Sequence, residues 1–432
     1  MQSDNTGTVK FRIIPGDVMK IKSIIIIITF GLLAVSANAS GLSSARAVGM
    51  GDAYIGLAKG VYAPLYNPAN VALSGYGQAG LEIAGAGAEI RNNSFTLGDY
   101  NDYTGALLTD DDKSAILGKI PTSGLELTAR AQASALTLSM GSMVISTYGV
   151  AASEINLSKD IVEIILEGNQ LGDTVSLNDM YSEAIAYATV GVTYGLSLYK
   201  LGTRQLAVGG TFKYIRGIAY EDITELNGQA STSMTGFAGE GTVVARTAMG
   251  GSGYALDLGA ALKLSDDYTV GASISNFLSS ITWDNETEEH YYHFEMDTTT
   301  VDNMEDDSVV VSDDYSEAIG NFKTDLPSVL RVGIANVSGK LVWALDWEQG
   351  FRLGAGVSSK PRISAGAEYK LIGFLPFRAG YALGGGKGST LSFGTGINLA
   401  AFYLDVAATN HGSFTSGSSK GLHLAVSTGL NF

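Results

Sequence analysis

Four histidines, His290, His293, His411 and His423, are the neutral-pH titrating side chains of this sequence of 432 residues, which has no cysteine. Without a thiol, cysteine nucleophiles, disulfides and thiolate-held metals are excluded. His290 and His293 form a His-x-x-His pair, but spacing fixes no third ligand for zinc. Asp302, Glu305, Asp306 and Asp307 offer the oxygen ligands that calcium or magnesium takes, yet their spacing departs from the EF-hand loop. They are the only metal candidates, and the acidic block around them reads first as a solvated loop. Gly384-Gly385-Gly386-Lys387-Gly388-Ser389 is a turn, since a phosphate loop needs Gly-Lys followed directly by Ser or Thr. The sequence therefore points to no catalytic residue, no cofactor and no enzyme. A net charge of −16, from 27 basic and 43 acidic residues, excludes a nucleic-acid partner, which needs a basic face.

What chemistry remains depends on where the charges sit, and that is set by alternation. Val190, Val192, Tyr194, Leu196 and Leu198 share one phase, with Thr189, Gly191, Thr193, Gly195 and Ser197 in the other. The same pattern holds for Leu256 to Leu264, Ile363 to Leu371 and Phe402 to Ala408. Successive side chains of a strand point to opposite faces, so each segment has one apolar and one polar or small face. The charged residues Asp257, Lys263, Glu368, Lys370 and Asp405 all fall in the second phase. Segments of about 9–12 residues match a tilted bilayer-crossing strand rather than the usual 5–6. Fifty-five Gly and seven Pro suit long, closely packed strands, because Pro removes a ladder donor. The expected fold is all-β: a closed antiparallel transmembrane barrel of about 14 strands with an N-terminal plug segment. A closed ring is required because lipid offers no partner for an open edge.

Met19 to Val35 has a basic start and an apolar stretch, and Ser36-Ala37-Asn38-Ala39 follows as an A-x-A cleavage site. Residues 1–39 are read as upstream residues plus a signal peptide, with Met19 the expected start and cleavage after Ala39. Residues 40–75 lack period-2 patterning and precede the first strand, which suits a plug or hatch. Residues 76–432 form the barrel. Within it, 284–325 reads as an acidic surface loop, with fourteen acidic residues against Lys323 alone. Helices are expected over 110–119 and over 158–171, the second capped by Ser158. The last strand, Leu422 to Phe432, places Leu430 and Phe432 where the recognition signal for barrel assembly would lie.

Gly49-Met50-Gly51-Asp52-Ala53-Tyr54, followed by Asn67-Pro68-Ala69, resembles the mature N-terminus of the FadL/PorV superfamily of outer-membrane barrels. Leu326-Pro327-Ser328-Val329-Leu330-Arg331-Val332-Gly333 is similar to its Leu-Pro-x-x-x-Arg-x-Gly strand entry, and Arg378-Ala379-Gly380-Tyr381 to its late strands. The resemblance implies an outer membrane of the Gram-negative type and a plug built on Asn67, Pro68 and Ala69. It also implies passive passage of hydrophobic or amphipathic molecules, long-chain fatty-acid-like, with a lateral opening at a kinked strand. Gly85-Ala86-Gly87 is the segment offered for that opening. The lumen-phase cations Lys213, Lys263, Arg331 and Arg378 are the possible contacts for a carboxylate headgroup, and they also stand to pair with Asp257, Glu368 and Asp405. The partners implied are outer-membrane lipid, the barrel assembly machinery and a hydrophobic small molecule. The alternative is a PorV-like barrel that docks exported proteins for a secretion system.

Overall fold

The structure, a computed structural model, describes residues 44–432 apart from 169–170, 179, 301–308, 352–353, 355 and 413–415. The strands in chain order begin with β1 (Gly80–Asn92), β2 (Leu125–Met140), β3 (Met143–Leu157), β4 (Thr174–Ser176), β5 (Tyr181–Leu201) and β6 (Arg204–Ser233). There follow β7 (Gly236–Ala248), β8 (Gly251–Lys263), β9 (Tyr268–Trp283), β10 (Glu288–Thr299), β11 (Val310–Ala318), β12 (Phe322–Thr324) and β13 (Val329–Ser338). The last are β14 (Leu341–Gly350), β15 (Arg362–Ile372), β16 (Leu375–Gly384), β17 (Ser389–Leu399), β18 (Phe402–His411) and β19 (Gly421–Asn431).

Fourteen of these close a ring. From β1 it runs through β2, β3, β5, β6, β8, β9 and β13, then β14 to β19, where β19 pairs antiparallel with β1 from Gly80↔Asn431 to Arg91↔Gly421. The alternation read from the sequence is realised as two faces. Val190, Val192, Tyr194, Leu196 and Leu198 of β5 are exposed on the outside, while Thr189, Gly191, Thr193 and Gly195 are buried. In β15, Ile363, Tyr369 and Leu371 are exposed while Glu368 is buried. Connections are short at one end, such as 202–203 and 339–340, and long at the other. Long connections at one end and tight turns at the other are the pattern of bacterial outer-membrane barrels.

The acidic stretch 284–325 is not the loop its composition suggests. It contains β10, β11 and β12, and β6 runs on past the ring so that β6, β7, β10 and β11 make a sheet that extends beyond the barrel. Charge count misleads here because carboxylates sit comfortably on an exposed sheet face, and Tyr291, Tyr292, Phe294 and Tyr315 supply β propensity between them. The helix over Asp110–Lys119 lies where its pattern places it, and the second runs Lys159–Glu167 with the Ser158 hydroxyl accepting from the Ile161 N–H at 3.4 Å. A third, Leu97–Tyr103, was not expected; its signal is the Thr96…Asp99 capping box.

Candidate functional site

Residues 44–78 contain no strand. They form short helical turns, Ala45–Gly49, Gly60–Tyr62, Ala63–Tyr66 and Pro68–Ala72, folded against the inward faces of the ring. Met50, Tyr54, Ile55, Leu57, Tyr62 and Tyr66 pack with Ala335, Val342, Ala344 and Tyr403 of β13, β14 and β18. Close approach is possible because the facing wall positions are glycines. A Cβ at Gly366 or Gly380 would collide with Met50 and Gly51 backbone, and one at Gly209, Gly259 or Gly271 with Asn67 or Pro68. Much of the unusual glycine content thus lies in the lumen phase, where it makes room for this inner segment.

Polar bonds fix the segment. The buried Asp346 carboxylate of β14 accepts the Tyr54 and Ile55 N–H groups at 2.5 and 2.8 Å. Arg46 donates to Glu368 of β15 at 2.8 Å, and Glu368 also accepts from Arg378, which reaches Asp405 at 2.7 Å. Asn67 caps the Pro68–Ala72 turn by accepting from Ala69 N–H at 3.1 Å and donates to the Ala260 carbonyl of β8 at 2.9 Å. Asn70 donates to the carbonyls of Ile55 and Ala58, and Tyr62 hydroxyl to that of Tyr403 at 2.9 Å. Burial, with the cations Arg46, Lys370 and Lys263 nearby, pushes the Lys59 ammonium down to about 8; it sits 4.3 Å from the Tyr76 ring centroid.

Beyond the inner segment lies a cavity of about 170 Å³, bounded on one side by Asp52 and Pro64 to Tyr66 and on the other by the connections around Gly356–Lys360 and Gly385–Lys387. Of the cations singled out in the sequence, Lys213 and Arg331 line it, ion-paired to Asp257 and Glu348 at 2.7 Å each. Arg378 is held within the Glu368–Asp405 network, and Lys263 lies beside the 264–267 turn, paired with Asp266 at 3.1 Å. Arg130, Lys360, Arg362 and Lys387 also line the cavity and were not singled out. Arg362 could have been: it is one step back along the inward phase of β15.

The remaining candidates separate. β10 is paired without a bulge across His290 and His293, so the two rings point to opposite faces and cannot share a metal. His290 contacts the Thr247 and Ser316 hydroxyls and His293 the Thr242 hydroxyl. Asp302, Glu305, Asp306 and Asp307 lie outside the described residues, as do residues 1–43 with the leader and its cleavage site. No group of three metal-capable side chains occurs among the described residues. Leu430 pairs across to Leu81 and Phe402, and the Phe432 N–H donates to Ala79 carbonyl at 2.9 Å.

The fold is that of FadL-like barrels. The toluene transporter TbuX of Ralstonia pickettii aligns with a TM-score of 0.51 at 13% identity, over 91% of this chain and 99% of that one. A FadL homologue of Pseudomonas aeruginosa gives 0.51 at 12%, over the same shares. The toluene transporter TodX of P. putida gives 0.50 at 14%, again over 91% and 99%. No curated protein matches in sequence. A sequence model does match, across residues 68–407, and by it the chain belongs to the family of unknown function DUF5723.

Proposed function

We propose that this chain is an outer-membrane barrel that passes hydrophobic or amphipathic small molecules passively, with residues 44–78 as its plug. The observation that carries the reading is the pairing of an apolar outer wall with an interior occupied by a segment held through side-chain bonds, which can be rearranged without opening the ring. An aromatic girdle supports the membrane setting: Tyr199, Tyr268, Tyr369, Phe374, Phe402 and Phe432 are exposed near the short-turn end. The fold shared with solved hydrocarbon transporters supports the same class of cargo. Nothing in the fold comparison favours the secretion-docking alternative.

The side exit belongs at β2, not at Gly85-Ala86-Gly87. Those three residues pair in unbroken register with both neighbours. In β2 the register with β3 breaks between Ser134 and Leu138, and Leu136 has φ 55°, a left-handed conformation that costs a branched residue energy. An outer groove lined by Ala133, Ala135, Gly149 and Ala188 lies beside this bulge, and Tyr148 lines both the groove and the inner cavity. The test is uptake of radiolabelled toluene and of a long-chain fatty acid by cells with an intact lipopolysaccharide layer, with and without the barrel. Faster uptake that is lost when bulky Trp replaces Ala133 and Ala135 is expected. Equal uptake with and without the barrel would remove the transport reading.

A further inference from the structure

We propose that the inner cavity is a binding site for a compact organic anion with a flat apolar body, of the aromatic-carboxylate class, and that Arg362 is its principal anchor. The inference deepens the transport reading and rests on it for the route by which the ligand arrives.

Three observations converge. The first is charge. The chain as a whole is acidic at −16, yet the cavity is lined by Arg130, Lys213, Arg331, Lys360, Arg362 and Lys387 against four carboxylates, Asp52, Glu89, Asp257 and Glu348. Each of these carboxylates has a cation beside it: Asp52 has Arg362, Glu89 has Lys387, Asp257 has Lys213 and Glu348 has Arg331. Among the described residues the lining therefore carries six cations to four carboxylates, a balance that favours an incoming anion over a cation.

The second is an open valence. Arg362 is 6% exposed; its two terminal nitrogens donate to Asp52 and Thr390 at 3.2 Å each, but its Nε–H has no partner among the described residues. Ser146, 2% exposed and lining the same cavity, likewise has a hydroxyl with no partner among the described residues. A buried donor left unmade costs about 1–3 kcal/mol, so both are poised for an acceptor such as a carboxylate oxygen.

The third is shape. Tyr66, Tyr148 and Tyr187, with Leu65 and Val329, also line the cavity and supply its apolar contacts. At about 170 Å³ the space is well below the roughly 300–1,000 Å³ of pockets for drug-sized ligands. A single substituted ring with one acid group satisfies volume, charge and apolar contact together. A neutral hydrocarbon leaves the cations unanswered.

Isothermal titration of the full chain in detergent with benzoate, benzylamine and benzyl alcohol tests the site. Saturable benzoate binding is expected, with both other probes about tenfold weaker or more, the scale of one charge-assisted hydrogen bond. Arg362→Gln should weaken benzoate about tenfold or more by the same reasoning, provided that its heat-shifted gel mobility shows a closed barrel. Lys360→Gln, at an exposed position, serves as a second variant that does not threaten folding and should weaken benzoate by a smaller factor. Equal binding of benzoate and benzylamine, or benzoate affinity untouched by both substitutions, would overturn the proposal. Benzoate preference without any barrel-dependent uptake in cells would remove the transport reading and leave the site standing. Barrel-dependent toluene uptake with no benzoate preference would do the reverse.

Discussion

The barrel interior and the sheet beyond it use the same residue types to opposite ends. Inside, the acidic groups that hold the inner segment are bonded: Glu368 and Arg378 are each 1% exposed at the side chain, Arg46 and Asp405 complete the network, and Asp346 accepts two backbone N–H groups. In the extension, Glu289, Glu295, Asp313 and Glu317 share a face with stacked Tyr291 and Tyr315, whose rings are 4.9 Å apart, and most of that face is open to solvent. A buried carboxylate must be paired or it is costly, whereas an exposed one needs no partner at all. The charge that holds the inner segment is therefore structural, and charge on the exposed sheet is free to vary.

Substitutions that treat the two regions alike should expose that difference. Glu368→Ala leaves two guanidinium groups short of their carboxylate and should destabilise the folded barrel by about 3–5 kcal/mol. Urea unfolding in lipid vesicles, followed through the three tryptophans, reads this directly. Gly380→Val drives a side chain into the Gly51 backbone, and overpacking of that kind costs about 1–3 kcal/mol. Its more telling effect is on the inner segment, which should become protease-sensitive while the ring stays closed. Asp222→Ala, at the point where β6 leaves the ring for the extension, breaks a two-bond contact with Arg246 at 3.1 and 2.8 Å. Being partly solvated, it should cost under about 1 kcal/mol and leave uptake unchanged. A loss of several kcal/mol there would mean that the extension is integral to the barrel.

How much of this was legible follows from what each signal measures. Period-2 alternation reports on a two-sided wall, so β5, β8, β15, β18 and β19 and their outward faces were readable, as was the ring size. The Ser158 cap and the Asp110–Lys119 helix were readable because caps are local. The extension was not, because acidic composition signals solvation and says nothing about pairing between β7 and β10, whose partners lie about forty to sixty residues apart in the chain. The cavity was half readable: Lys213 and Arg331 lie in clear inward phases, but Arg130, Lys360 and Lys387 come from a strand with a bulge and from connections. The polar contacts of Asn67 were expected from its type, yet their wall partners, Gly259 and the Ala260 carbonyl, are set by tertiary register alone.

The most direct measurement of the account uses the absence of cysteine. Gly49 of the inner segment and Gly394 of β17 are in backbone contact, a Cβ on either lying 3.0 Å from the other's Cα; this is tighter than disulfide geometry prefers, so cysteines at the two positions bond only with a small shift of the segment. In the doubly substituted G49C/G394C barrel, uptake of radiolabelled toluene by intact cells should fall to the barrel-free rate when the bond is formed, as verified by intact mass. It should return on reduction. Undiminished uptake through the locked protein would contradict the claim that residues 44–78 are a plug that must move.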